Sequence, residues 1–595
     1  MVVVTLPGRR FLAGCAAVSA AILLVSRVSP TSVWLLAAEI LATILGLFLF
    51  GSFRYRIHKN ALTYGMLLVI VATFCGLPTS TWRAEIAARG WAFWTNAHLL
   101  TFSGLDDLIH ADTMLFILGL TLFGAVIAQT RLLEGITFFL LRRNSGVVVP
   151  TVISVTAVVA VASGLLGGVS MIGLTIRTLV IILTLGATPV AAVRYAVMVS
   201  TAVTTICGVW TAYGEPPNLI MKANLYPYLG NAFFIYYGAP VAIASYLVVA
   251  WQLRGKLGAP RIDLEGMDVI DANAEDVRFL QAARHGEVMT PVELVGGHAA
   301  DLGDRTEPVM ERLRNGESLG LAMVRANVPQ PVRRTLLGHY VSEELADSLD
   351  RHYVYDAAGQ FELAMYAEQA VDEVLQTMGK VRRRAQKIGA LALVPFFVML
   401  VIHAIYNDVP LFLASFAAFF TALPGIAQIP KTRDLAMREA YQEYAEYYFL
   451  FPLFLSITLL TSAGFFRVMQ SLVLQGIATL GQAHVAFAQF LGSTFLSAIL
   501  DNNIVADFAS RGLHGLDIKV LHFFAMAQIA GYALGGCWTH IGCAQSVVAF
   551  AFIQRDVDAR HTPVQWIKEM TPVILQILVL LGAMIYIESA LLRWF

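Results

Sequence analysis

Apolar runs of about 20 residues recur along most of this 595-residue chain, and their length restricts the fold more than any other feature. A helical run of this length matches the hydrocarbon thickness of a bilayer. The composition agrees, because 57% of the residues are hydrophobic and 14% are charged, against about 25% charged in ordinary soluble domains. The sequence therefore predicts an all-α polytopic membrane protein.

One apolar run is interrupted by the sequence Trp-Thr-Ala-Tyr-Gly-Glu-Pro-Pro-Asn at 210–218. The two prolines remove backbone donors, so a spanning helix has to break there. Broken backbone at membrane depth is tolerated where it is buried in protein or lines a polar cavity. A second interruption, Trp-Thr-His-Ile-Gly at 538–542, repeats the Trp-Thr-x-x-Gly pattern.

The two interruptions belong to a longer repeated pattern. The Trp-Thr-x-x-Gly segments are 328 residues apart, and upstream of them Ser-Gly-Leu-Leu-Gly-Gly at 163–168 matches Ser-Ala-Ile-Leu-Asp-Asn at 497–502 at an offset of 334. This order predicts two inverted-topology repeats with re-entrant hairpins, whose broken helices meet near the bilayer midplane. Simple close packing of the glycines at 164–168 is the alternative.

Changes in composition divide the chain into four parts. Residues 1–110 hold the N-terminal spans and an interfacial segment, and 111–252 form the first repeat. Residues 253–387 contain 39 of the chain's 82 acidic and basic side chains, which predicts a soluble insertion with helical spacing. The second repeat occupies 388–595.

The apolar pattern also places the individual segments. We expect a loop at 431–438 and an amphipathic segment at 439–446 that leads into a span ending near 463. The remaining spans are expected at 11–28, 33–50, 61–77, 113–129, 231–250, 388–405, 409–424, 484–500, 520–535 and 573–592, with hairpin arms at 147–166 and 170–185 and an interfacial segment at 78–110.

Basic residues gather on one side of the predicted spans. The loop at 54–59 and both edges of the insertion are basic, whereas the loop at 29–32 carries no charge. The positive-inside rule therefore places the N-terminus and the insertion in the cytoplasm of a cell with a plasma (inner) membrane. The first apolar run is read as a retained helix, and the basic edge at 380–387 is expected to contact lipid.

Several classes of function lack support in the composition. Equal numbers of acidic and basic residues give no sign of nucleic-acid binding. The five cysteines lie in apolar stretches without a Cys-x-x-Cys pattern, so we expect neither a metal cluster nor a disulfide framework. No cofactor is expected.

The first break resembles a known signature. Gly-Glu-Pro-Pro-Asn at 214–218 resembles the Gly-Asp-Pro-Pro-Asn motif of the ion transporter superfamily, and Ser-Ala-Ile-Leu-Asp-Asn at 497–502 is similar to the second hairpin tip of its arsenite-permease and sodium/proton antiporter branch. Glu215 replaces the usual aspartate, and Gly167-Gly168 carries neither acid nor amide. The Ser-Asn-Thr tips of the carboxylate carriers are absent. The resemblance covers both membrane halves, implies a cation/proton antiporter and is compatible with a homodimer.

Asp501 is the first candidate for the chemistry. A carboxyl group at the end of an apolar run is costly in lipid unless it binds an ion, a proton or a partner. Burial favours the protonated acid and a bound cation favours the ionised one, so protons and Na⁺ or Li⁺ compete for one site. Asn502 and Asn503 would add neutral oxygens. The structural alternative is that Asp501 caps a helix and the asparagines form a turn.

The first break supplies a second group of candidates. Glu215 would exchange a proton or bind Na⁺, and Asn218 would be an amide ligand. Thr211 and Thr539 occupy matching positions and would offer oxygens. The structural alternative for Glu215 is a helix break whose acid faces interfacial water.

Four other polar residues are further candidates. His540 titrates near neutral pH, so it would sense pH or relay protons, unless it is a packing residue. Arg177 is a candidate counter-charge to a carboxylate, and Arg194 is expected to extend to the membrane interface. Asp507 is either a second acid or the edge of a helix.

Three hypotheses remain open at this point. The leading one is a secondary antiporter that exchanges Na⁺ or Li⁺ for protons by alternating access. The second is an oxyanion or organic-anion permease of the same superfamily. The third is a membrane-embedded sensor or enzyme that uses the insertion, and we expect no enzymatic activity because the insertion lacks a catalytic motif.

Overall fold

The computed structural model is helical throughout the residues that it describes. These are 59–76, 101–262, 291–338 and 383–592 with short gaps at 187, 259, 316–318, 407–408, 428–431, 446 and 463–464, and eight residues between 13 and 24. The predicted span at 33–50, most of the span at 11–28 and the interfacial residues 78–100 lie outside them.

Seven helices in this part of the chain are long and apolar enough to cross a membrane. The all-α polytopic prediction is therefore confirmed. They are Ala111–Thr130, Val148–Leu166, Val190–Trp210, Asn231–Lys256, Arg383–His403, Ile518–Trp538 and Pro563–Leu591.

The helices before the insertion, with the labels used below, are α1 (Lys59–Gly76), α2 (Phe102–Ile109), α3 (Ala111–Thr130), α4 (Leu132–Arg143), α5 (Val148–Leu166), α6 (Gly168–Leu185), α7 (Val190–Thr205), α8 (Pro216–Asn224) and α9 (Ala239–Lys256). A 3₁₀ turn, Ile206–Trp210, continues α7. A π-helical turn, Phe234–Gly238, precedes α9.

The described part of the insertion contains short helices, as its apolar spacing predicts. They are α10 (Pro291–Gly297), α11 (Ala299–Leu302), α12 (Thr306–Arg314), α13 (Leu319–Arg325) and α14 (Gln330–Gly338). Val295, Val309 and Met323 are buried among them and form a small apolar core.

The helices after the insertion are α15 (Leu393–Ile405), α16 (Phe412–Ile426), α17 (Thr432–Ala445), α18 (Leu450–Ser462), α19 (Phe465–Leu480), α20 (Gln482–Ile499), α21 (Asn502–Arg511), α22 (Ile518–Trp538), α23 (Ala544–Phe552) and α24 (Pro563–Leu592). The predicted loop at 431–438 is wrong, because 432–445 is one helix. The α19 helix was not predicted, and α24 begins ten residues earlier than expected.

Two ends of the helical bundle can be told apart by their contacts. At the insertion end, which α9 reaches just before residue 257, Val147 forms a β-bridge with Arg261 and Gln386 donates to the carbonyl of Arg131. At the opposite end, the Asp112 carboxylate accepts the amide of Leu411 at 2.9 Å. These contacts fix the direction of each helix.

The arms of the two hairpins enter the bundle from opposite ends. Gly186, after α6, lies beside Val148 at the start of α5, so the first hairpin opens toward the insertion end. In the second hairpin, His484 of α20 stacks on Tyr586, and Arg511 of α21 donates to Thr461. The second hairpin therefore opens toward the opposite end, which is the inverted arrangement predicted from the repeat.

The two broken helices have matching lengths. Each begins with a helical arm of 21 residues, Val190–Trp210 and Ile518–Trp538. Each ends with a half-helix of 9 residues, α8 and α23. The breaks themselves, 211–215 and 539–543, are therefore related by the same offset of 328 residues that the sequence predicts.

Each hairpin tip is joined to its break by the same backbone hydrogen bond. The amide of Gly168 donates to the carbonyl of Gly214 at 2.9 Å, and the amide of Asn502 donates to that of Gly542 at 3.1 Å. The first amide of the helix after each tip and a carbonyl group of each break thereby satisfy each other inside the bundle.

The paired threonines complete this joint. Thr211 donates its hydroxyl proton to the carbonyl of Gly164, and Thr539 donates to that of Ala498. Both pairs obey the offsets of the sequence repeat, so the two units are duplicated in their hydrogen bonds as well as in their helices.

Alanine at Gly214 or Gly542 should destabilise the protein by about 1–3 kcal/mol through overpacking. An added Cβ would lie 2.6 Å from the Ser163 carbonyl oxygen at the first position and 2.7 Å from that of Ser497 at the second. Thermal unfolding of the purified variants measures the effect. Gly173→Ala is the matched control, because its Cβ meets nothing within 4 Å. Equal melting temperatures for all three variants would contradict this joint.

Candidate functional site

Four helix N-termini converge where the hairpin tips meet the breaks. The helices α6 and α21 begin at the two tips, and α8 and α23 begin at the two breaks. The tip-to-break hydrogen bonds hold the N-termini together in pairs. Each N-terminus carries roughly half a positive elementary charge, so the centre attracts negative groups.

Glu215 connects the two repeats at this centre. Its side chain is buried, and both carboxylate oxygens accept from the amide nitrogen of Gln545 in the first turn of α23, at 2.8 and 2.9 Å. Asp501 is near enough to act on it electrostatically. The alternative in which Glu215 faces interfacial water is therefore wrong, since the residue is 2% exposed.

Asp501 lies at the second tip and caps α21. Its Oδ1 accepts the backbone amide of Asn503 at 3.0 Å and the side-chain amide of the same residue at 2.6 Å. The capping role expected as the alternative is present, and it places the buried carboxylate at the centre rather than away from it. Asp501 can therefore cap α21 and also belong to the candidate site.

The two asparagines after Asp501 are buried with it. The side-chain nitrogen of Asn502 lies near Gly536 in the last turns of α22. The Oδ1 atom of Asn503 is buried without a hydrogen-bond partner. A buried carbonyl oxygen in this state is suited to a cation or to a ligand's donor group.

Asn218 and the two threonines hold the joints together. The Asn218 amide donates to the Thr211 carbonyl at 3.1 Å, and the Tyr532 hydroxyl donates to Asn218 Oδ1 at 2.6 Å. The hydroxyl protons of Thr211 and Thr539 are committed to hairpin carbonyls. These residues therefore support the centre through the backbone geometry that they maintain.

The side chains of two other predicted residues have partners outside the centre. His540 packs on Phe550 with ring centroids 4.7 Å apart. Arg177 is half-exposed and forms an ion pair of 3.0 Å with Glu439 on α17, so its partner is neither Asp501 nor Glu215.

Asp507 lies in the middle of α21 and is fully buried, so the expected alternative that it forms the edge of its helix is wrong. Its Oδ1 accepts from Asn224 at 2.6 Å and from Arg511 at 2.9 Å. The Asn224 contact ties the end of α8 to α21, so each broken half-helix is held by the other repeat.

Sequence reasoning missed three polar residues. Gln545 stands in the repeat position of Pro217, and Tyr532 lies in a continuous helix without a visible motif. Lys222 on α8 is partly buried, donates to Asn231 at 3.1 Å and lies 5.1 Å from the centre of the Tyr213 ring. The offset of 328 could have identified Gln545. The other two required the tertiary structure.

An all-helical bundle with two inverted hairpins and two broken helices defines a secondary transporter. A family model described as a citrate transporter matches residues 17–516. The chain therefore belongs to the citrate transporter family. A search among curated proteins found no match. The family fits the organic-anion alternative better than the antiporter expected from the motifs.

An ion cluster stabilises the insertion end of the same repeats. Arg194 of α7 donates to Asp558 at 2.6 Å and to Glu569 of α24 at 2.7 Å. The cluster ties the arm of the first broken helix to the segment that follows the second.

Asp558→Asn should lower the melting temperature at pH 7, and this difference should shrink as the pH falls below about 4. Asp558 lies between α23 and α24, where hydrogen bonds from the Arg560 amide and from Arg194 hold its pKa below its usual range. A depressed folded-state pKa stabilises above the unfolded value of about 3.9, and this contribution is lost as the pH falls through the folded value. Melting temperatures of the variant and the parent from neutral to acid pH are the measurement. A difference that does not shrink with falling pH would contradict the assignment.

Proposed function

We propose that the protein is a secondary transporter of a small organic anion with several carboxylate groups, of which citrate is the one that the family description names. The observation that carries the proposal is the convergence of four helix N-termini at the hairpin tips and breaks. Aligned peptide dipoles favour carboxylates at such a place.

The partly buried, positively charged side chain of Lys222 on α8 supports an anion as the substrate. Lys222 lies one and a half turns beyond the start of the half-helix, held against Tyr213 and Asn231. Its positive charge adds to the field of the N-termini along the route toward the opposite end of the bundle. Asn502 and Asn503 add amide groups that hydrogen-bond a carboxylate.

The two carboxylates require positive charge to accompany the anion. Glu215 and Asp501 are both buried at the centre, so an anion bound there would meet two acids. Protons or small cations that neutralise these acids remove the repulsion. The substrate is therefore expected to move with protons or cations such as Na⁺ or Li⁺. Antiport of Na⁺ or Li⁺ against protons is the second candidate, favoured by the same two acids.

The transport cycle would move each hairpin relative to its break. The joints contain few hydrogen bonds, and alternating access requires a unit that can shift against a scaffold. We place the insertion end in the cytoplasm of a plasma (inner) membrane, because the basic residues flank the spans on that side. A homodimer is compatible with this arrangement, and the insertion would be accessory to transport.

Uptake of radiolabelled citrate into proteoliposomes tests the proposal. Asp501→Asn should slow uptake by about 10- to 100-fold, because it removes the charge that binds the accompanying proton or cation. Asparagine also caps helices well, so the fold should survive. Asp517→Asn is the matched control, since Asp517 is an exposed aspartate that caps α22 in the same way.

The opposite outcomes are equally clear. Unchanged uptake in Asp501→Asn would remove this residue from the site. No uptake of citrate or of any other tricarboxylate or dicarboxylate, together with Na⁺-triggered proton flux, would establish the antiport candidate instead.

A further inference from the structure

The charged helix α17 reaches deep into the helical bundle. The helix α17 runs antiparallel to α3, because Glu439 accepts from Gln129 near the insertion end and the Tyr444 hydroxyl donates to the carbonyl of Met114 near the other end. Charged residues at this depth are costly unless they have a function or a partner. Glu439 has such partners, and Glu443 lies one turn deeper.

Glu443 reaches the first hairpin tip. Its Oε1 accepts from the Ser170 hydroxyl at 2.8 Å, two residues into α6. The first tip carries Gly167-Gly168 where the second carries Asp501-Asn502, and the residue that matches Ser170 at an offset of 334 is Ile504. A helix outside the hairpin thus brings to the first tip a carboxyl group that the second tip carries itself.

A small cavity adjoins this hydrogen bond. It measures about 20 Å³, enough for one water-sized particle, and its lining includes Glu443, Ser170, Thr121 and Gly167. The Thr121 hydroxyl donates to the carbonyl of Ile117, so its oxygen stays free to accept. One carboxylate and two hydroxyl oxygens form a ligand set for a hard monovalent cation or for a proton on Glu443.

A polar track connects the cavity to the insertion end. Glu439 lies four residues from Glu443 on α17, which is about 6 Å along a helix. It pairs with Arg177 at 3.0 Å and with Gln129 at 2.8 Å.

We propose that Glu443, Ser170 and Thr121 form a subsite for a small monovalent cation, a proton or Na⁺, which enters from the insertion end past the Arg177–Glu439 pair. Occupation neutralises Glu443 and changes its hydrogen bond to Ser170, so the subsite couples cation binding to the position of the first hairpin. The inference rests on the proposed function only in that the protein is a transporter, and it holds for any substrate.

Several charged and titratable groups lie on the described elements around Glu443. Glu439 lies on its own helix and Arg177 on α6, while the phenols of Tyr447 and Tyr213 line the cavity. Glu215 lies against Gly168 of the same tip, and Lys222 is on α8, whose Leu219 lines the cavity. The α3 helix has one acid, Asp112, at its far end, and α16 has no charged residue. A pH response at the first tip that disappears in Glu443→Gln would therefore be assigned to Glu443.

The subsite can be tested without a substrate. Leu120→Cys places a thiol in the cavity beside Gly167, and its rate of modification by a small thiol reagent reports the position of the tip. In proteoliposomes, the rate should change about tenfold with pH beyond the change that the thiolate fraction itself causes, or about tenfold with Na⁺ replaced by choline at fixed pH. A response to pH identifies a proton as the bound cation, and a response to the replacement of Na⁺ identifies Na⁺. The background is the same protein without the added cysteine.

Glu443→Gln in the Leu120→Cys protein should abolish the Na⁺ dependence and leave only the pH dependence that the thiolate fraction causes, and Ser170→Ala should weaken both effects. The matched control is Asp434→Asn, an exposed acid on the same helix, which should leave them unchanged. The same dependence in Glu443→Gln as in its parent, or no dependence in the parent, would overturn the proposal.

A second measurement separates coupling from a merely structural role. With a transported substrate, Glu443→Gln should retain exchange of labelled for unlabelled substrate while losing accumulation against a gradient. Equal loss of both in a variant with the parent's melting temperature would overturn the coupling role. Failure of citrate transport in the parent would refute the proposed substrate and leave the labelling result intact.

Discussion

Backbone groups that lack partners are intolerable in the interior of a membrane protein, and this constraint determines the centre of the molecule. Two helices break there, and each break exposes carbonyl groups that their own helix no longer uses. The hairpin tips supply the missing donors, with Gly168 opposite Gly214 and Asn502 opposite Gly542. Only glycine permits the backbones to approach this closely at 214 and 542. Hairpin and broken helix are therefore a single structural unit in each repeat.

The same joints determine the electrostatics. The hydrogen bonds from the hairpin tips to the breaks bring four helix N-termini together. The positive electrostatic field at the centre is therefore a consequence of how the backbone groups are paired. Acids collect where this field is strongest: Asp501 caps its helix and Glu215 is held by Gln545. Buried acids in a field of this sign serve as exchange sites, because the field and the low dielectric favour opposite protonation states.

Local features of the sequence identify the breaks, and tertiary contacts decide what the residues around them do. Pro216-Pro217 interrupts a helix in any context, so the break and its repeat were predictable. The 431–438 segment reads as a loop by composition, although residues 432–438 belong to α17, because a charged helix is stable in the bundle only through partners on distant helices. Arg177 and Gln129 are such partners of Glu439. The joint roles of Thr211 and Thr539 were equally invisible, since each partner lies in another helix.

The choice between an anion and a cation as substrate was also beyond the motifs, for a related reason. Asp501 and Glu215 indicate cation exchange when they are read alone, whereas the field of the N-termini exists only once the repeats are assembled. In the assembled centre, anion binding and cation exchange are parts of the same balance of charge. A multiply charged anion can occupy a centre with two carboxylates only if positive charge enters with it, and acids that exchange protons or cations provide that charge. Under the proposed function, anion transport through this centre therefore requires cation movement, and the same carboxylates serve both.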